Sequence, residues 1–179
     1  PRAHLSGTPP TSAEVLESRP IAGPLTLLQC CPMSDGAGAA VVTTLNASSN
    51  SHVEIMTSQF SSGPLWTSVD DAPWGFRTVA STAARAFTET GLSVQDVDVF
   101  EVHDAFTIGE ILTLEAIGVA AQGQGAELAP SGHTQLGGPQ PVNPSGGLLS
   151  RGHPLGSTGL AQTAELVWQL RGQAADRQV

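Results

Sequence analysis

The hydrophobic positions along the chain follow two periods, and the switches between them outline its elements. Spacings of three and four recur in three places. Between 78 and 90, Val79, Ala83, Ala86 and Phe87 share one face and Gly91 stands at the stop. A second helix is predicted from Phe106 through Ile108, Ile111, Leu112 and Leu114 to Ile117, closed by Gly118. A third runs over 160–170, with Leu160, Ala164, Val167 and Leu170 on one face, Ser157 or Thr158 as N-cap and Gly172 as stop. A short helix at 12–18 carries Glu14 and Glu17 in its first turns, inside a Pro-, Ser- and Thr-rich arm that covers 1–24. Strand signals fill the gaps: short apolar, β-branched or alternating runs at 24–28, 41–45, 52–57 and 97–102. Small polar residues at 46–51 mark a joint between two units, and 61–75, with two prolines, Trp66, Trp74 and Asp70-Asp71, reads as an irregular surface loop. Strands alternating with helices predict an α/β protein.

Chemistry concentrates in one stretch, Asn143-Pro144-Ser145-Gly146-Gly147-Leu148-Leu149-Ser150-Arg151-Gly152-His153-Pro154-Leu155-Gly156-Ser157-Thr158-Gly159. Gly146, Gly147 and Gly152 permit positive φ or close approach of backbone to a ligand, and Pro154 stiffens the turn just past His153. His153 is therefore expected to be held in place. The helix that follows turns its free N–H groups and positive dipole end toward this loop, which suits an anion or a developing oxyanion. His103 occupies a comparable junction, where the strand at 97–102 passes into a helix. Two histidines at element junctions make a stronger site than either alone. His4, His52 and His133 sit in polar surroundings and are expected to have loop or surface roles. Asp35 is expected to serve a turn or cap, and Asp70-Asp71 to be solvated.

Composition narrows the function. With 179 residues and 40% hydrophobic content the chain can bury one core, and no apolar run approaches membrane-spanning length. A formal net charge of -9 argues against general nucleic-acid binding. All seven basic residues are arginine and tyrosine is absent, which removes Schiff-base, phosphate-loop-lysine and tyrosine acid–base chemistry from this chain. Cys30 and Cys31 are adjacent, permit no ordinary disulfide and give no metal-ligand spacing; a buried reduced pair is the expected reading, and no metal site is expected. The start, Pro1-Arg2-Ala3-His4, shows neither an initiator methionine nor a signal pattern, so a cytoplasmic fragment or processed chain is expected.

His103-Asp104-Ala105-Phe106, together with Asn143 to Gly147 and Gly152 to Gly159, resembles the C-terminal half of the thiolase superfamily. Within it the resemblance is to the sterol-carrier-protein-x, archaeal and lipid-transfer-protein branch. Asp35-Gly36-Ala37-Gly38-Ala39-Ala40 resembles the turn into the last strand of that family's N-terminal half. The resemblance implies an α/β thiolase-like fold, a mixed sheet covered by helices. It places a linker arm and the last strand of the N-terminal half in 1–50, and the C-terminal domain, lacking its final strands, in 51–179. It also implies Claisen chemistry on acyl-CoA thioesters, with coenzyme A as substrate and no resident cofactor. His153 then assists the nucleophilic cysteine and helps form an oxyanion hole, and His103 supports the same oxygen. Phe106 lines the pantetheine passage, and Gly146, Gly147 and Gly152 join it as substrate-binding positions.

Two departures limit that reading. Many relatives carry cysteine where this chain has Ala105, and the nucleophilic cysteine belongs to the N-terminal half, which Cys30 and Cys31 do not match. The chain is thus expected to be inactive without that half, and the intact protein is expected to form a homodimer and to bind acyl-CoA. Two other readings stand beside it. A thiolase-like aldolase acting on a side chain as a CoA thioester ranks second, because that branch leans on tyrosines. A non-catalytic acyl-CoA or lipid-binding module, or a scaffold for an OB-fold and zinc-ribbon partner protein, is favoured by Ala105 and opposed by the retained histidines.

Overall fold

The structure, a computed structural model, describes residues 8–44, 53–63 and 75–179. The expectations for His4, His52, the joint at 46–51, Trp66, Trp74 and Asp70-Asp71 lie outside these residues.

Helix α1, Ser12–Glu17, begins with a reciprocal cap: the Glu14 amide donates to Thr11 Oγ1 and the Thr11 amide to Glu14 Oε2. Strand β1, Pro20–Ala22, turns at Gly23 (φ 56°) and pairs antiparallel with β2, Leu25–Thr26. The strand predicted at 24–28 is cut to two residues. Gln29 takes the Thr26 amide through its side-chain oxygen, and Leu27–Gln29 winds into a 3-10 turn.

Helix α2, Phe76–Thr90, is entered from Gly75 in the left-handed region and ends at Gly91 (φ 71°), whose N–H donates to the Phe87 carbonyl. Its half-buried side includes Val79, Ala83, Ala86 and Phe87, as the spacing predicts, and it packs on α3, Thr107–Ile117. On α3, Gly109, Leu114 and Ala116 are buried, and Gly118 closes the helix with φ 92°. Two further helices follow: α4, Gly147–Arg151, which the sequence reading took as part of the turn, and α5, Thr158–Leu170. The most enclosed apolar side chains are Leu114 and Leu148, joined by Ala105, Ala116 and Ala174.

The expected mixed sheet is smaller in the structure. Among the described residues the ladder of β1 and β2 is joined only by single bridges, Cys30 to Phe106, Met33 to His153 and Phe100 to Val142. Of the strand at 97–102 only Phe100 bridges, and the described parts of the strands at 41–45 and 52–57 are unpaired. Alternation marks which side chains could share a face, but a strand also needs a neighbour to take its N–H and C=O groups. Val41 and Val42 are accordingly 96% and 76% exposed.

Helix α5 reverses its predicted face. Leu160 and Leu170 are exposed, whereas Thr158, Glu165 and Gln169 are buried at spacings of seven and four. Each buried polar group has a partner. Arg177 grips the Glu165 carboxylate with Nε at 3.1 Å and Nη2 at 2.9 Å, and Gln169 accepts the Val179 amide while donating to the Arg177 carbonyl. Hydrogen bonding to the C-terminal residues thus decides the orientation, where apolar periodicity alone favours the other side.

Candidate functional site

Two histidine-bearing segments meet on a third. The His153 amide donates to the Pro32 carbonyl at 2.9 Å, and the Cys31 amide donates to the Ala105 carbonyl at 2.9 Å. Residues 30–33 therefore lie between the strand end that carries His103 and the loop that carries His153. The two imidazoles meet edge to face, with ring centroids 4.8 Å apart and planes at 83°. The sequence-predicted pair is thus one cluster.

The His153 loop is fastened from four sides. Asn143, at φ 52°, accepts the Val102 amide through Oδ1 at 2.8 Å. Glu101 accepts both the amide and the hydroxyl of Ser145, at 3.0 and 2.8 Å. Asp104, 2% exposed, accepts the Leu148 amide at 2.7 Å and the Leu149 amide at 3.5 Å, taking up free donors at the start of α4. Gln162 of α5 reaches back to the Val102 carbonyl at 2.7 Å.

Gly147 shows why this loop needs glycine: its φ is 58°, and a Cβ there would collide with the Asp104 carboxylate. Gly146 (φ 98°) caps the start of α4. Gly152 (φ 94°) ends it with its own Cβ position against Ser34 Oγ. Phe106 is the N-cap residue of α3 and pairs with Cys30. These four predicted substrate-binding residues therefore border the histidine cluster, each with a defined place in the backbone.

A hydrogen bond sets the state of His153. Its Nδ1 lies 2.8 Å from Thr158 Oγ1, and the Thr158 hydroxyl donates to the Pro154 carbonyl at 3.1 Å. With that proton committed, the Thr158 oxygen accepts from Nδ1–H and Nε2 carries the lone pair. Burial, followed by the neighbouring His103, lowers the His153 pKa, against the opposing charge of Asp104. A neutral imidazole with a basic Nε2 is the form that takes a thiol proton.

The carboxylates behind it are held the other way. Burial first, then the Asp104 charge, pushes Glu110 up to about 7, while a hydrogen bond from Asn143 Nδ2 at 3.3 Å opposes the shift. Burial also raises Asp104 and Glu101, with the N–H and O–H donors named above acting against it. Asp104, Glu101, Glu110 and the orienting role of Thr158 escaped sequence reasoning. Asp104 and Glu101 carried a usable signal, since charged residues next to a predicted site and within an apolar strand need partners.

Comparison with known proteins places this geometry. Residues 65–179 match the family model described as thiolase C-terminal domain-like. The chain belongs to the thiolase C-terminal domain family. It is 44% identical over 174 residues to sterol carrier protein 2 of Rattus norvegicus, covering 93% of this chain and 32% of that protein. It is 41% identical to the acetyl-CoA acetyltransferase of Methanothermobacter thermautotrophicus, over 94% of this chain and 45% of that one. Non-specific lipid-transfer protein-like 2 of Caenorhabditis elegans is 37% identical, over 93% and 42%. The chain thus spans about a third to under half the length of these relatives. A solved structure titled "Ltp2-ChsH2(DUF35) aldolase" superposes with a TM-score of 0.75 at 23% identity, covering 94% of this chain and 45% of that one, which shows the thiolase-like fold. No helix among the described residues is long and apolar enough to cross a membrane.

Proposed function

We propose that this chain is the C-terminal, catalysis-supporting part of a thiolase-like acyl-CoA acyltransferase. It forms or cleaves a C–C bond in CoA thioesters only together with an N-terminal half that supplies the nucleophilic cysteine. The observation that carries this reading is the His103–His153 cluster, with His153 neutral and turned by Thr158 so that Nε2 is the basic nitrogen. That nitrogen takes the proton of the attacking thiol. The resulting Nε2–H, with His103 beside it, donates to the oxygen that becomes negative when the thioester is attacked or enolised.

The dependence on a second half has its own support. Val41 and Val42 lie on an extended, unpaired segment, and Arg151 holds Nε and Nη2 buried with no hydrogen-bond partner. Open strand edges and orphaned buried donors are costly unless other residues cover them. In this reading residues 1–50 end the N-terminal half and 51–179 form the C-terminal domain of a homodimer that binds acyl-CoA. An OB-fold and zinc-ribbon partner remains part of the reading, because the superposed structure is titled as a complex with a DUF35 component.

The test is thiolysis of acetoacetyl-CoA and longer 3-ketoacyl-CoA by free CoA, run on the full gene product beside the 179-residue chain. Turnover by the full product alone is the expected result. Silence from both, with CoA thioesters still bound, overturns the acyltransferase reading in favour of an aldolase or a binding module.

A further inference from the structure

The strip at 30–33 does more than join the two histidine segments. Cys30 bridges Phe106 in antiparallel sense, and the same register sets residue 31 opposite 105 and residue 33 opposite 103. Met33 also bridges His153, in parallel sense. Residues opposite one another across strands share a face, as do residues two apart along one strand. Cys31, Met33, His103, Ala105 and His153 therefore fall on one face. The hydrogen bond from the Cys31 amide to the Ala105 carbonyl and the contact between the two imidazoles fit that register.

Cys30 falls on the other face, and its thiol donates to the Thr26 carbonyl at 3.4 Å. The adjacent cysteines, expected to form one buried reduced pair, are thus different groups, and neither is fully buried. The Ala105 methyl can exchange no proton, so Cys31 is the thiol on the histidine face.

We infer that Cys31 is an acid–base residue of this site, exchanging a proton with the α-carbon of the CoA thioester. The inference rests on the acyltransferase reading above. In the cleavage direction the C–C bond breaks and leaves an enolate whose oxygen is held by imidazole N–H. The enolate carbon uses its C=C electron pair to take the Cys31 proton, the C=O bond re-forms, and the S–H pair stays on sulfur as thiolate. In the synthetic direction the thiolate takes the α-proton, the C–H pair becomes the enolate, and the thiol is restored. No oxidant, metal or further reactant enters. Burial first, then the charges of Asp104 and Cys30, raises the Cys31 pKa, which keeps the thiol protonated and ready to donate near neutral pH.

The experiment uses the full-length gene product and two readouts: thiolysis kinetics, and exchange of the acetyl-CoA α-protons for deuterium in D2O. Cys31→Ser keeps the size of the side chain but not its acidity. It is expected to lower exchange and kcat by about 100-fold or more, with KM within threefold. Adding Ala105→Cys to Cys31→Ser returns a thiol to the same face and is expected to recover at least tenfold. Cys30→Ala is expected to stay within threefold of wild type. Exchange within threefold of wild type in Cys31→Ser, or no recovery in the double variant, overturns the assignment of Cys31 while leaving the acyltransferase reading intact. A wild-type protein that catalyses neither reaction overturns both.

Discussion

Helices α2 and α5 carry the same kind of sequence signal and use it in opposite ways. On α2 the apolar stripe of Val79, Ala83, Ala86 and Phe87 turns inward, and its polar side meets water and neighbouring loops, as at Arg85, which donates to Ser61 Oγ at 3.0 Å. On α5 the inward residues are Thr158, Glu165 and Gln169, and the leucines are left outside. The first helix is held by burial of carbon. The second is held by directed hydrogen bonds, and its first residue sets a catalytic imidazole. Polar groups inside a helix–loop junction therefore mark the part of this molecule that must be positioned, whereas apolar periodicity marks the part that must only be packed.

The largest effect is expected at the α5 end of that comparison. In the intact protein, His153→Ala is expected to lower kcat by about 1,000-fold or more through loss of the base and of an oxyanion donor, read by thiolysis. Thr158→Val keeps the shape but removes the acceptor for Nδ1–H, so about a tenfold loss is expected. His52→Ala is expected to leave turnover near wild type. Equal activity in His153→Ala and His52→Ala contradicts the site.

Stability comes next. Arg177→Ala leaves the Glu165 carboxylate, with 2% side-chain exposure, without its cation. A loss of about 2–3 kcal/mol in urea unfolding is expected, below the full cost of breaking a buried pair because Arg177 is itself 30% exposed. A loss under 0.5 kcal/mol there removes the contrast between the helices.

Glu110 gives a pH signature. Its native pKa of about 7 lies above the unfolded value of 4.5, so the native state binds the proton more tightly. Stability is then full below about 4.5, falls as pH rises toward 7, and levels off above it. Glu110→Gln removes that slope. At pH 8 it is expected to be more stable than wild type by on the order of 2 kcal/mol, with little difference at pH 4.5. A slope unchanged by the substitution contradicts the burial argument. The smallest effect belongs to α2: Arg85→Ala, which removes exposed hydrogen bonds, is expected to cost under 1 kcal/mol.

The legible part of the sequence was whatever local pattern decides. Glycines at 91 and 118 stop α2 and α3 where the spacing ends, and both histidines sit at the junctions that the strand-to-helix switches mark. What local pattern cannot supply is a partner distant in the chain. The runs at 41–45 and 52–57 alternate correctly, yet the described residues offer them no neighbouring strand. The orientation of α5 depends on Arg177 and Val179, beyond the helix itself, and a count of leucines does not contain it. Asp104 was read as a neighbour of His103, although its work is to hold Leu148 and Leu149 more than forty residues away. Cys31 belongs with these, because only the register with Ala105 brings its thiol to the histidine face.

The central claim is that Thr158 presents His153 as a neutral base through Nε2, and one spectrum addresses it. A long-range proton–nitrogen correlation of the histidine-labelled full-length protein at pH 7.5, assigned with His153→Gln, reports which ring nitrogen carries the proton. Protonated Nδ1 with a bare Nε2 in wild type, lost in Thr158→Val, is the predicted result. A proton on Nε2 with a bare Nδ1, or a pattern that Thr158→Val leaves unchanged, contradicts it.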